Sequence, residues 1–154
     1  MRKALALFLA VALALAAALP AAAAMRDEPR DFRGVPFGKE FVPDASFSCE
    51  LDSEEGLRCK RPGDDLHFMG SPVASVTYLF MYKQLYTVDI EMRGKAGFDA
   101  VLAELAKKHG QPGAMPGGML AFTGTQVDIL AFFDQARGTG EISYVFKNLP
   151  CPVE

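Results

Sequence analysis

The chain has 154 residues, half of them hydrophobic, with 16 lysines or arginines, 19 acidic residues and a net charge of −3. This length is enough to bury a core. The acidic balance and the lack of a long basic run argue against a general binder of nucleic acid or anionic membranes. We therefore expect no nucleic-acid partner.

The first 24 residues predict a secretory signal peptide. Arg2 and Lys3 precede an apolar run over residues 4–19, and small residues follow up to Ala24. A basic head, an apolar middle and a small-residue end are typical of a cleaved signal. An uncleaved anchor is the alternative, because the apolar run is about as long as a membrane span.

We expect cleavage after Ala24 and a periplasmic or secreted location. Cleavage removes two of the 16 basic residues and none of the acidic ones, which leaves a net charge of −5. No later run is long and apolar enough to span a bilayer, so we expect no stable membrane insertion once the signal is removed.

Cys49 and Cys59 lie in the strand-like segments FSCEL and LRCK, on either side of the polar turn DSEEG. A hairpin would bring the two thiols together, and paired thiols close into a disulfide in an oxidising compartment. We predict a Cys49–Cys59 disulfide. Metal and redox sites are the alternatives, but the spacing does not fit C-x-x-C and no further ligands lie nearby.

Cys151, in the tail NLPCPVE, is the third cysteine. Three cysteines cannot all pair within one chain. Cys151 is therefore predicted to be a free thiol, a substitute partner in the bridge, or the attachment point of another chain.

The mature chain divides into three predicted regions. An irregular arm, rich in proline, glycine and charge, carries the isolated rings Phe32, Phe37 and Phe41, which we expect to pack onto the domain. One domain and a short tail follow. The boundaries are residues 25–46 for the arm, 47–149 for the domain and 150–154 for the tail.

Two apolar runs alternate with period two and predict half-buried strands. Apolar side chains recur at even positions on both sides of the segment Tyr82–Gln84. A three-residue loop there would set Phe80 opposite Tyr86 and Val76 opposite Ile90. The even-numbered core positions are Val76, Tyr78, Phe80, Tyr86, Val88, Ile90 and Met92.

Between Gly97 and Gly110 the period changes to that of an amphipathic helix, with Phe98, Val101 and Leu105 on the apolar face. Strands follow, with apolar positions at Val127, Ile129, Ala131 and Phe133, and at Ile142, Tyr144 and Phe146. These patterns predict an α+β fold, an antiparallel β meander with one amphipathic helix packed on one face in two layers, preceded by an N-terminal disulfide hairpin.

Several of these motifs together resemble small exported bacterial proteins of unknown function. The motifs are F-x-G-x-x-F-G from Phe32 to Gly38, the strand end LYTVDI, the helix closing in HGQP, and the last strand G-x-x-S-Y-x-F. The resemblance implies a fold and an exported location. It supplies no catalytic residues.

The polar residues suggest no assembled chemistry. Asp64, Asp65 and His67 have metal-binding side chains, but the aspartates fit a turn after Pro62-Gly63. His109 fits the negative end of the predicted helix dipole. We therefore predict no catalytic, cofactor-binding or metal residues, and no cofactor.

Three further groups of residues are weaker candidates. Met115 and Met119 carry thioethers that suit copper(I), but they lack further ligands. The four tyrosines, at positions 78, 82, 86 and 144, could line a groove or lie in the core. The acids Asp52, Glu54 and Glu55 form an exposed hairpin tip that could contact a basic partner.

The sequence therefore predicts a non-enzymatic exported protein that binds another protein, as an accessory subunit or inhibitor. The alternative is a small-molecule or metal-binding periplasmic protein with a pocket between helix and sheet. The protein partner is not identified by any motif.

Overall fold

We analysed a computed structural model of the chain, which describes residues 24–149. Residues 1–23 of the predicted signal peptide and the tail 150–154 with Cys151 lie outside the described residues. Within residues 24–149, no helix has the length and apolar character needed to cross a membrane.

One helix, a short 3-10 turn at Pro116–Gly118 and twelve strands make up the described fold. The strands are β1 (Asp31–Phe32), β2 (Val35–Pro36), β3 (Ser48–Leu51), β4 (Gly56–Lys60), β5 (His67–Phe68), β6 (Ser71–Pro72), β7 (Ser75–Met81), β8 (Gln84–Arg93), β9 (Gly113–Ala114), β10 (Leu120–Phe122), β11 (Val127–Asp134) and β12 (Thr139–Phe146), and the helix is α1 (Lys95–His109).

Eight of the strands form one antiparallel sheet in the order β3-β4-β7-β8-β12-β11-β10-β9. The helix connects β8, in the middle of the sheet, to β9 at the far edge. The last four strands then return to the middle, where β12 pairs with β8. The predicted α+β class is confirmed. The disulfide hairpin β3–β4 forms the other edge and follows the arm, so it is not N-terminal.

The helix and the arm cover the same apolar face of the sheet. Phe98, on the helix, packs near Phe133 of β11, with ring centres 5.4 Å apart. From the arm, Phe32 lies 5.4 Å from Tyr144, and Phe37 stacks on the same ring. The rings of the arm therefore pack onto the sheet as predicted, and they extend the layer that the helix begins.

Gly140 on β12 lets the helix approach the sheet closely. A Cβ atom at this position would lie 2.4 Å from the Phe98 ring. Any larger residue would force the helix away from the strand, because real Cβ contacts are never so short.

The turn between β7 and β8 differs from the prediction. Only Tyr82 and Lys83 form the loop, both with positive φ (49° and 58°), and Phe80 pairs with Leu85 rather than Tyr86. A β-bulge adds Tyr86 as an extra residue, which restores the predicted pair Val76–Ile90. The predicted loop was wrong, and so was the predicted core position of Tyr86, which is only half-buried in the bulge while Leu85 is buried beside the turn. Because two loop residues plus one bulge residue equal the predicted three, the other predicted core positions, from Val76 to Met92, are buried as expected.

Candidate functional site

The disulfide hairpin forms an exposed edge of the sheet. Cys49 of β3 and Cys59 of β4 lie directly opposite each other and are joined by the predicted disulfide. Cys59 is buried in the core, whereas every residue of β3 is exposed. The bridge therefore fastens a solvent-facing strand to the buried sheet.

The outer edge of β3 carries backbone groups that no described strand pairs. Asp52 N–H donates to the Gly56 carbonyl over 3.0 Å, so residues 52 and 56 form a hydrogen-bonded pair. Hydrogen-bonded and non-bonded pairs alternate along an antiparallel ladder. Cys49 and Leu51 are therefore non-bonded positions, and their N–H and C=O groups point away from β4.

Two large apolar side chains lie exposed beside this edge. Leu51 is 80% exposed and Val42, at the end of the arm, is 66% exposed. Together with Pro43 and Leu57 they line a shallow concavity of about 270 Å³. Glu54 and Glu55 at the hairpin tip line it too. We call these six residues the hairpin surface.

Acidic groups dominate the charge at this edge. Arg58 pairs with Asp52, with 2.9 Å between Nη2 and Oδ1. Glu50, Glu54 and Glu55 form no ion pair with any residue from 24 to 149. Lys83 is the one basic residue lining the concavity. The hairpin surface thus combines exposed apolar side chains with carboxylates that have no cationic partner in the described part of the chain.

Backbone hydrogen bonds hold the hairpin tip in place. Tyr82 N–H, in the β7–β8 turn, donates to the Glu55 carbonyl over 3.2 Å. Ser53 and Gly56 donate to each other's carbonyls across the tip. The acidic side chains therefore project from an anchored turn. Binding of a partner would cost little conformational entropy in the backbone of this turn, because the backbone is already ordered.

The side chains of Asp64, Asp65 and His67, which were set aside as metal ligands on sequence grounds, do not converge. The Asp64 side chain is mostly buried and accepts hydrogen bonds from Arg33 Nη1 and from the Tyr78 hydroxyl, each over 2.7 Å. Asp65 and His67 are exposed and contact each other at 3.2 Å. Among residues 24–149, no group of three or more histidine, cysteine or acidic side chains is arranged to hold a metal ion.

The remaining sequence candidates have structural surroundings. His109 is buried, and its Nδ1 lies 2.9 Å from the Arg26 carbonyl oxygen, which ties the arm to the end of α1. Tyr78 and Tyr144 are buried in the core, and burial raises the pKa of both hydroxyls. Met115 is exposed, and its backbone N–H donates to Met119 across a turn.

Glu28, in the arm, has a role that sequence reasoning missed. Its carboxylate accepts backbone N–H groups of Thr125, Gln126 and Val127 in the β10–β11 turn. Partial burial raises the pKa of Glu28, but these donors and Lys147 outweigh it, so the pKa is lower than its ordinary value of 4.5. No local motif marks this contact, because its partners lie almost 100 residues away.

A second depression lies between the helix and the far part of the sheet. It has a volume of about 480 Å³, and its apolar lining includes Phe98, Leu102, Leu120 and Phe133. At its rim, Lys95 and Asp99 form an ion pair with each other. The depression lies between the helix and the sheet, where the alternative function would require a pocket, and the charged groups at its rim are paired with each other.

Comparison of the chain with protein-family models, with curated proteins and with solved structures returned no significant match.

Proposed function

We propose that this chain is an exported, non-catalytic protein that binds another protein through the hairpin surface. The observation that carries the proposal is the exposure of Leu51 and Val42 beside a strand edge and glutamates that have no partner among residues 24–149. An exposed edge strand with apolar side chains is prone to self-association, and natural proteins normally protect it. Here its exposure favours a role in recognition.

Export is supported by the disulfide and by the predicted signal peptide. A disulfide such as Cys49–Cys59 persists in oxidising compartments and is rare where thiols are kept reduced. The bridge also stiffens the binding strand, which lowers the entropy lost when a partner docks.

The charge of the surface favours a basic partner over a second copy. Two copies paired antiparallel through β3, with Cys49 of each chain opposite Leu51 of the other, would set the two Glu50 side chains directly opposite each other. Like charges opposite each other destabilise such a pairing. A partner with lysine or arginine near its apolar contacts would instead be attracted to this edge.

The proposal is tested by affinity capture from the envelope fraction of the source cell, with quantitative mass spectrometry. The bait is compared with a Val42→Ser/Leu51→Ser variant, which removes the apolar contacts without touching the core. Phe132→Ser is the matched control, because Phe132 is a partly exposed apolar residue on the opposite face, several strands away.

We expect a partner that the unmodified bait and the Phe132→Ser control retain and that the double variant loses. A partner retained equally by all three baits, or no specific partner in repeated experiments, contradicts the proposal.

A second candidate function is the binding of an apolar small molecule in the helix–sheet depression. Its volume lies within the range of ligand pockets, and its lining is largely apolar. A ligand that binds only the folded state raises the melting temperature. Thermal-shift screening with apolar metabolites tests this function, with Leu102→Ser as the variant that should abolish any shift.

A further inference from the structure

We infer that the partner docks by strand addition, as an extended segment that pairs with the free edge of β3 and alternates basic with apolar side chains. This inference rests on the proposed function and specifies the recognition mode. Strand addition obtains affinity from main-chain hydrogen bonds and specificity from alternate side chains.

The backbone of β3 offers the required hydrogen bonds. The N–H and C=O groups of Cys49 and Leu51 point outward and have no partner strand in the described sheet. The other edge strand, β9, has only two residues and is followed by the turn around Pro116. Short, irregular edges are poor templates for pairing, so β3 is the better acceptor of the two.

The two faces of β3 differ, which predicts the pattern of the incoming strand. Leu51 pairs with Leu57 and lies beside Val42, so one face next to the edge is apolar. Glu50 lies opposite Arg58 on the other face, but the Arg58 guanidinium contacts Asp52, so Glu50 has no ion pair within the described part of the chain. Since successive side chains of a strand point to opposite faces, the partner should alternate apolar with cationic residues.

The disulfide supports this mode because it joins β3 to β4 at Cys49, within the short pairing strand. A four-residue edge strand held only by its ladder would fray readily. The bridge fixes the strand in the conformation that an added strand requires, and reduction should weaken docking for this reason.

The test uses the oxidised protein, expressed from the full chain and isotopically labelled, and three synthetic peptides. One alternates lysine with valine, the second alternates glutamate with valine, and the third is the lysine peptide with its alternate backbone nitrogens methylated. NMR titration gives affinity, and amide hydrogen exchange reports protection at Cys49 and Leu51.

We expect the lysine peptide to bind and to slow exchange at both amides, and the glutamate peptide not to bind. Backbone methylation should weaken binding by about tenfold or more, because it removes hydrogen bonds without removing charge. The substitution Leu51→Pro in the protein should also weaken binding of the lysine peptide. Proline at an edge removes only the outward N–H, and Leu51→Ala is its control for the lost side chain.

Equal binding of the methylated and unmethylated lysine peptides overturns strand addition. It does so even if Leu51→Pro fails to fold, because the peptide comparison uses the unmodified protein. The two proposals can fail separately: a captured partner that depends on Val42 and Leu51, combined with indifference to methylation, rejects strand addition and retains the binding surface.

Discussion

Glu28 fastens the arm to the sheet through its carboxylate. Three successive backbone N–H groups, from Thr125 to Val127, donate to it, and Lys147 adds a favourable charge. Gly124 is needed here, because a Cβ at that position would lie 2.3 Å from the Val127 carbonyl oxygen and 2.8 Å from the Glu28 carboxyl group. The ionised form is therefore the one that the fold stabilises.

Glu28→Gln should lower the free energy of unfolding at pH 7 by about 1 to 3 kcal/mol, since the amide replaces a charged acceptor. The native pKa is depressed, so this stability is present above the unfolded pKa and is lost as the pH falls through the native one. The difference in the free energy of unfolding between the unmodified protein and the variant should therefore shrink as the pH is lowered from 7 to 3. Urea unfolding at each pH measures this difference. The neighbouring Asp27→Asn is the control, and an equal loss in both variants would contradict this role.

Asp64 links three segments of the chain. Its carboxylate accepts from Arg33 of the arm and from the buried Tyr78 of β7, while it lies itself in the turn before β5. Burial, followed by the hydrogen bond and the charge of Asp64, raises the pKa of Tyr78. The sequence suggested a turn role for Asp64, but it could not reveal which distant side chains the carboxylate meets.

Tyr78→Phe should lower the free energy of unfolding by about 1 to 2 kcal/mol, because Asp64 loses a hydrogen-bond donor in a partly buried site while the aromatic ring remains. Tyr86→Phe, in the half-buried bulge, should cost less. Thermal denaturation of both variants measures the difference. A larger loss for the Tyr86 variant would show that the Tyr78–Asp64 bond is of minor importance.

At the scale of elements, the β7–β8 turn explains why its register could not be predicted. A two-residue turn of this type normally contains asparagine or glycine, which adopt positive φ at low cost. Tyr82 and Lys83 adopt it without that advantage, and the bulge at Tyr86 compensates for the shorter loop. The alternation of apolar residues indicated the core face but could not distinguish these arrangements.

Lys83→Gly should raise the free energy of unfolding by about 0.5 to 1 kcal/mol, because glycine relieves the cost of φ = 58°. Lys60→Gly, in the extended strand β4, is the matched control and should lower it by a similar amount. Chemical denaturation of the two variants gives the comparison. Destabilisation by both would mean that the left-handed conformation is not strained at Lys83.

The disulfide hairpin is the element whose sequence signal was most direct. Cys49→Ser should lower stability by about 2 to 3 kcal/mol, because the short loop gains freedom in the unfolded chain. Cys151→Ser should leave the unfolding midpoint unchanged. Oxidised samples of both variants can be compared by urea unfolding, and a comparable loss from Cys151→Ser would mean that the wrong cysteines had been paired.

At the scale of the whole molecule, periodicity predicted the fold class but not the order of strands. The patterns at Val76–Phe80 and Ile142–Phe146 identified buried faces, and the spacing of Phe98, Val101 and Leu105 identified the helix. The helix α1 carries the chain to the far edge of the sheet, and its position depends on contacts such as that of Phe98 with Gly140. These residues are distant in sequence, so no local pattern encodes the contact.

The candidate site was only partly foreseeable. The acidic tip was recognised as a possible contact for a basic partner, but the exposure of Leu51 and Val42 was not. Both look like ordinary apolar residues in the sequence, and their 80% and 66% exposure follows from the position of β3 at the edge of the sheet. Burial is decided by neighbours that are distant in sequence, so the hairpin surface needed the structure.

Site-specific photo-crosslinking in the source cell, with a photoreactive amino acid at position 51 and, as control, at position 132, tests whether the hairpin surface binds a partner. We expect a discrete protein adduct from position 51 only, which disappears when Glu54 and Glu55 are both changed to lysine. Adducts of equal yield from both positions, or an adduct at position 51 that survives the charge reversal, would contradict a specific acidic binding surface at the hairpin.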